Sequence, residues 1–162
     1  MHVAGDAREE ADRCAMLRLV GELAQPFSRD EPSAHFTASA FVVDEEGVRT
    51  CLVEHVKLGG LLQPGGHLEE SDETLEAAAL REAREETALE LSLHPGAARP
   101  FDLDIHRIPK LEDMPSHMHL DVRYLVIGHG EPAAGAAWYP LGEAGDASVA
   151  RMATKVRSLA QA

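Results

Sequence analysis

The segment 69–90 concentrates negative charge in a way that constrains how the chain folds. It contains nine acidic residues and two arginines, within a chain of 162 residues whose net charge is −13. The pattern predicts a helix over about 74–87. In it, Glu82, Glu85 and Glu86 share one face, because residues three and four apart in a helix are neighbours. Like charges at this spacing repel each other, so we expect a cationic group to offset them.

Small apolar residues on the neighbouring faces of this helix indicate close packing against a sheet. They are Leu75, Ala78, Ala79 and Ala83. The three glutamates then lie at the edge of a packed layer, where a hard divalent cation such as Mg²⁺ or Mn²⁺ suits their oxygen ligands. The alternative is an ordinary solvated acidic face. The preceding loop favours the metal, because the adjacent Gly65 and Gly66 permit a close backbone approach and a carbonyl ligand.

Together, the loop and the helix resemble the Nudix hydrolase family. The family's pattern appears as Gly66, six residues, Glu73, seven residues, and then Arg-Glu-Ala-Arg-Glu-Glu-Thr-Ala-Leu over 81–89. Three departures are visible. One extra residue separates Gly66 from Glu73, Ala83 replaces a larger apolar residue, and Ala88 replaces the glycine that ends the helix. No carboxylate is lost.

The resemblance implies an α/β/α sandwich with a mixed β-sheet, as one Nudix hydrolase domain over 1–162 with its box at 66–89. It also implies a metal-dependent pyrophosphohydrolase that cleaves a nucleoside diphosphate linked to another group. A non-catalytic nucleotide-binding or regulatory module of the same fold is the alternative. Loss of a box carboxylate would have favoured that module.

Site roles follow from the resemblance position by position. The implied ligands of Mg²⁺ or Mn²⁺ are Glu82, Glu85, Glu86 and the backbone carbonyl of Gly66. Arg81 and Glu73 are implied to form an orienting pair, and the implied catalytic residues are Glu85, Glu86, Arg81 and Glu73. The general base stays open among a box glutamate, Glu112, Asp113 and Glu143.

The remaining elements are predicted from hydrophobic periodicity. A helix is expected over about 8–24, with a buried stripe of Ala11, Cys14, Ala15, Leu17, Val20 and Leu23. Strands over 35–43 and 48–55 should form a hairpin. A loop is expected over 58–66, further strands near 101–108 and 117–127, and a last helix over 146–160. The N-cap oxygen of the acidic helix is expected from Thr74 or Asp72.

The strand 117–127 alternates strictly between apolar and polar residues. Met118, Leu120, Val122, Tyr124 and Val126 should face the core, whereas His117, His119, Asp121 and Arg123 face the other way. Asp102, Asp104 and His106 alternate likewise on the preceding strand, so a hairpin would build one polar face. This face is either a surface for substrate phosphate or a second metal, or a plain solvated face. We predict substrate contacts from His67, His117, His119 and Arg123. Neutral imidazoles can donate hydrogen bonds to phosphate oxygens, and protonated ones add charge.

Composition excludes several classes of partner. The acidic balance opposes binding to nucleic acid polymers, and the apolar runs are too short to cross a membrane. Cys14 and Cys51 are too few for a disulfide framework and are expected to be small buried hydrophobes, which favours a cytoplasmic location. Trp138 and Tyr139 either stack on a nucleotide base or belong to the core. Homodimers are common among similar proteins, and the sequence leaves monomer and dimer open.

Overall fold

Helices cover both faces of a mixed β-sheet in this protein. The computed structural model describes residues 5–56, 59–110 and 114–160. The elements in chain order are α1 (Ala7–Glu22), β1 (Ala34–Val43), β2 (Arg49–Glu54), β3 (Leu61–Leu62), β4 (Gly65–His67), α2 (Leu75–Thr87), β5 (Glu90–Leu93), β6 (Asp102–Ile108), β7 (His117–His129), β8 (Ala136–Pro140) and α3 (Ala147–Leu159). Among the described residues, no helix is long and apolar enough to span a bilayer.

The sheet is organised around the parallel pair of β1 and β7. These strands are in register over their whole contact, from Ala34 opposite Met118 to Val43 opposite Ile127. Each then shares its outer side between two antiparallel neighbours: β1 pairs with β2 and β4, and β7 pairs with β5 and β6. β3 and β8 extend the sheet beyond β2. The sheet is therefore mixed, as predicted.

Two hydrophobic cores lie on opposite faces of the sheet. On one face, α2 packs its small residues Ala78, Ala79 and Ala83 against alternate residues of β1 and β7. On the other face, α3 packs Val149, Met152 and Val156 against Phe41 and Leu125. The predicted last helix and the α/β/α architecture are confirmed.

Most predicted elements are present, with small differences at their ends. β1 and β2 form the expected antiparallel hairpin, and β6 and β7 form the second one. Thr74 is the N-cap of α2, and its side-chain oxygen accepts a hydrogen bond from the backbone N–H of Ala77 at 3.0 Å. The region predicted as one loop over 58–66 contains β3 and the start of β4, and the short strands β5 and β8 were not predicted.

The predicted buried stripe of α1 is wrong. Leu17 is 62% exposed, Val20 is 39% exposed, and Cys14 lies at the surface. The face that packs against β6 instead carries Glu9 and Asp12, whose carboxylates accept hydrogen bonds from the backbone N–H groups of Leu103 and Ile105, both at 3.2 Å. α1 therefore docks in two ways. Met16, Leu19 and Leu23 pack against the core, and the carboxylates satisfy the outer edge of β6, which hydrophobic periodicity does not detect.

The C-terminal end of α2 is held in a strained backbone conformation. Ala88 is its C-cap, with φ 57° and ψ 16°, and its N–H donates to the carbonyl of Arg84 at 2.8 Å. Within the described ranges, Ala88 is the only residue other than glycine with a positive φ. A left-handed L-residue costs on the order of 1–2 kcal/mol, because its Cβ crowds the following carbonyl.

We predict that Ala88→Gly raises the free energy of unfolding by about 1 kcal/mol, since glycine adopts this conformation without the Cβ crowding. The control is Ala150→Gly on the exposed side of α3, where the same exchange should lower stability by about 1 kcal/mol. Urea unfolding of both variants measures the difference. A loss of stability in both would contradict the assigned strain at Ala88.

Candidate active site

β4 lies close against both β1 and α2. A Cβ atom added to Gly65 would lie 2.7 Å from the backbone Cα of Ser39 on β1, so this position excludes a larger residue. A Cβ atom added to Gly66 would lie 2.6 Å from the carboxyl carbon of Glu82, so the end of that side chain would have to move. The result is a backbone segment held directly against the first of the three box glutamates.

The three glutamates of α2 lie together at the edge of this contact, as the helical spacing predicts. Glu86 accepts a hydrogen bond from the backbone N–H of Gly65 at 2.9 Å. Burial raises the pKa of Glu86, and the charges of Glu82 and Glu85 raise it further. The negative charges at this edge are therefore unfavourable, because of desolvation and because the carboxylates repel each other. Such a donor set of carboxylates beside exposed backbone fits a hard divalent cation.

Arg81 connects the box loop to the helix, but not through the predicted partner. Its guanidinium donates to the carboxylate of Asp72 at 2.8 and 3.0 Å, to the carbonyl of His67 at 3.0 Å and to Glu82 at 2.9 Å. Hydrogen bonding to Arg81 lowers the pKa of Asp72. Within the described part of the chain, Arg81 forms no ion pair with Glu73, so the predicted orienting pair is wrong.

The spacing of the family pattern explains why Arg81 binds Asp72. Five residues separate Gly66 from Asp72, which is the separation the family pattern has between its glycine and its acid. The extra residue therefore lies between the acid and Arg81, at the start of the helix, and not in the loop. Asp72 is 5% exposed, whereas Glu73 lies at the surface. Counting back from Arg81 with the family spacing gives Glu73, which is one residue after the acid that Arg81 binds.

Five histidines converge on one face of the sheet beside the glutamates: His35, His67, His106, His117 and His119. Contacting ring centroids are 4.9–5.5 Å apart. The strand register produces this cluster, because His119 lies opposite His35 of β1 on one side and opposite His106 of β6 on the other. The sequence analysis missed His35. Its alternation with Thr37 and Ser39 on β1 is the signal that could have found it.

Burial favours the neutral form of three of these histidines. Desolvation is the main cause that lowers the pKa of His67 to about 4 and that of His119 to about 2, and neighbouring groups act in the same direction. Burial also lowers the pKa of His35. These rings are therefore uncharged at neutral pH. The expectation that protonated imidazoles add charge to this face does not hold for them.

Arg123 lies on the same face but in a separate, fully buried network. Its guanidinium forms ion pairs with Asp121 at 2.7 Å, Asp104 at 3.0 Å and Asp102 at 3.2 Å, and its side chain is 2% exposed. The alternation of β7 placed Arg123 on this face correctly. It did not show the carboxylate network around the guanidinium. Arg123 also belongs to the wall of a second cavity, and its substrate contact stays a prediction.

A cavity of about 400 Å³ joins Glu82, the first of the three box glutamates, to the histidines. Its wall includes Gly66, His67, Glu82, His119 and Asp121. His117 lies behind this wall and is 5% exposed. The carboxylate edge and the histidine cluster therefore open on the same space.

The other candidates lie elsewhere. Glu112 and Asp113 fall outside the described residues, and Glu143 is an exposed residue of the turn after β8. Trp138 packs against the core beneath α2 and donates its indole N–H to the carbonyl of Gly130 at 3.1 Å. Cys51 is fully buried as expected, whereas the expectation for Cys14 is wrong.

Comparisons with known proteins agree on one family, the NUDIX family. Residues 33–159 match the family model of the NUDIX domain. A NUDIX-family hydrolase from Clostridium perfringens superposes with a TM-score of 0.56 at 26% identity, over 78% of this chain and 97% of that one. A MutT NUDIX hydrolase from Burkholderia pseudomallei gives 0.53 at 18% identity, over 76% and 98%. The Ap4A hydrolase of C. elegans gives 0.50 at 14%, over 78% and 96%. No curated protein sequence matches this chain significantly.

We predict that Asp72→Asn lowers both the free energy of unfolding, by about 1–3 kcal/mol, and kcat. The amide cannot accept both charge-assisted hydrogen bonds of Arg81, which then no longer fixes the loop against Glu82. The matched control is Glu73→Gln, which should change stability by less than about 0.5 kcal/mol. Urea unfolding and steady-state kinetics distinguish the two. Equal effects would mean that the pairing of Arg81 is not specific to Asp72.

Proposed function

Because this chain belongs to the Nudix family, whose hydrolases act on phosphoanhydride bonds, we propose that it is a metal-dependent pyrophosphohydrolase of nucleoside diphosphate derivatives. The contact between Gly66 and Glu82 carries the proposal. It holds bare backbone beside three carboxylates, and Glu82 and Gly66 both belong to the wall of the cavity. A side chain at Gly66 would displace the carboxylate of Glu82 from this contact.

Glu82, Glu85, Glu86 and the carbonyl of Gly66 would hold Mg²⁺ or Mn²⁺. When bound, such a metal neutralises phosphate charge, polarises the phosphoryl oxygen and lowers the pKa of water. The protein supplies fixed positions for these oxygens. Glu86 is anchored by the N–H of Gly65, and Glu82 by Arg81. Arg81 is a positioning residue, since it also binds Asp72 and the carbonyl of His67.

Glu85 differs from the other two glutamates in its exposure. Its side chain is 58% exposed, whereas that of Glu82 is 19% exposed. A carboxylate that is accessible to water can accept the proton of an attacking water molecule. We therefore assign this role to Glu85. Its neighbour Glu86 is anchored and places a further negative charge beside it.

Two adjoining cavities provide room for both parts of such a substrate. The cavity beside the glutamates shares Leu62, Gln63, His106 and Ile108 with a second one of about 770 Å³. A pyrophosphate bound at the glutamates would direct its two substituents into these spaces. His67 and His119 would offer hydrogen bonds as neutral imidazoles. The cytoplasmic location stays a prediction of the sequence.

We predict that hydrolysis requires millimolar Mg²⁺ or Mn²⁺ and stops in excess chelator. Ca²⁺ should bind and support little turnover. A screen of nucleoside diphosphate derivatives with each metal, detecting released phosphate or nucleotide products, measures this. Full activity in excess chelator would rule out the proposed mechanism.

We predict that Glu85→Gln and Glu86→Gln each lower the rate by roughly 100-fold or more, because each removes a charge that acts in the transition state. The melting temperature should hold or rise slightly, since repulsion between the glutamates is relieved. Glu70→Gln, at an exposed residue of the same acidic segment, is the control and should retain activity. A lower melting temperature with full activity would show that the box glutamates are structural.

A further inference from the structure

We propose that His35, His117 and His119 form a second metal site, which selects a borderline transition ion such as Zn²⁺ and is separate from the carboxylate box. One ring nitrogen of each histidine lies within 4.8 Å of those of the other two. The ring centroids are separated almost equally, at 4.9 Å, 5.0 Å and 5.0 Å. The three rings therefore form a triangle around one point.

Hydrogen bonds fix which nitrogen of two of these rings can bind a metal. Nδ1 of His35 lies 3.2 Å from the carbonyl oxygen of Glu31, and Nδ1 of His117 lies 3.0 Å from that of Pro115. A carbonyl only accepts, so both Nδ1 atoms carry the proton and both Nε2 atoms keep a lone pair. Metal-binding histidines are commonly oriented in this way, by a hydrogen bond from the other ring nitrogen to a backbone carbonyl.

Two nitrogens of the cluster lack the partners that buried polar atoms normally have. Nε2 of His117 and Nε2 of His119 are buried and have no hydrogen-bond partner among the described residues. Buried ring nitrogens in native proteins are usually satisfied, and an exception calls for an explanation such as an ion. One metal bound between these rings would satisfy both atoms at once.

His67 adjoins the three histidines. Its Nε2 lies 3.1 Å from Nε2 of His35, at hydrogen-bonding distance. A metal bound by Nε2 of His35 would replace this hydrogen bond, and His67 could then supply a fourth ligand after rotation of its side chain. The other nitrogens need to move inward by side-chain rotation. The fourth ligand would come from β4, and the metal would join β1, β7 and the box loop.

The chemistry of these ligands separates the site from the box. Imidazole favours Zn²⁺, Cu²⁺ and Ni²⁺, whereas carboxylates and carbonyls favour Mg²⁺ and Mn²⁺. His119 and Glu82 belong to the wall of one cavity, yet the three histidines contribute no oxygen ligand. Two ions of different type would then lie on two sides of the same cleft. The histidine site shares His67 and His119 with the proposed substrate contacts, but its Zn²⁺ affinity is measured without hydrolysis.

Zn²⁺ titration of untagged, chelator-treated protein tests the proposal. We expect calorimetry to show one tight Zn²⁺ per chain, with affinity lowered at least about 100-fold by His117→Ala and by His119→Gln, since each removes a direct ligand. His129→Ala, outside the cluster, and Glu86→Gln, in the box, are matched controls that should keep full affinity. Loss of Zn²⁺ binding in Glu86→Gln with retention in His117→Ala would place the ion in the box and overturn the proposal.

Spectroscopy of the unaltered chain tests the same site without relying on variants that must fold. Co²⁺ bound by imidazoles in a tetrahedral site gives visible absorption that octahedral oxygen ligation lacks, and X-ray absorption of the Zn²⁺-loaded protein identifies nitrogen ligands. We expect the tetrahedral spectrum, nitrogen ligation and a higher melting temperature with Zn²⁺. Purely oxygen ligation, or no binding of Zn²⁺ at all, would overturn the site. These outcomes are distinct from loss of hydrolysis, which tests the box.

Discussion

The buried guanidinium of Arg123 imposes the strictest requirement on this structure. A charge with 2% exposure is tolerated only when its partners are all in place, because an unpaired buried ion costs several kcal/mol. Its carboxylates come from β6 and β7. One of them, Asp102, also binds Arg151 and Lys155 of α3 at 2.6 and 3.1 Å. Asp121 continues the network to Thr37 and Ser39 of β1, and thus to the wall of the cavity that Glu82 lines.

Features that depend on local spacing could be predicted from the sequence. The convergence of Glu82, Glu85 and Glu86 follows from helical geometry, and the polar face of β7 follows from strand alternation. The strain at Ala88 could also be anticipated, because a helix that ends in this pattern requires a left-handed residue there. In each case the physical cause lies within a few residues of its effect.

Features that depend on docking could not be predicted in the same way. His35 joins the histidines only through the parallel register of β1 with β7, which no local pattern specifies. The choice of Asp72 over Glu73 depends on how the box loop turns before α2 begins. The side of α1 that faces β6 carries acidic residues, because they accept hydrogen bonds from the edge amides of β6. Arg123 is buried because α1 and α3 cover it.

The parallel pairing at the centre of the sheet also affects the chain while it is being synthesised. Partners such as Thr37 and Asp121 are 84 positions apart, so β1 leaves the ribosome long before β7 exists. All ten residues of β1 are buried in the finished structure. β2 and β4 follow soon after β1 and share one of its edges, whereas the edge that pairs with β7 stays open until β7 has been made. Pairing of such distant segments is intrinsically slow. The nascent chain therefore exposes one unpaired strand edge during that interval, and an exposed edge of this kind favours aggregation.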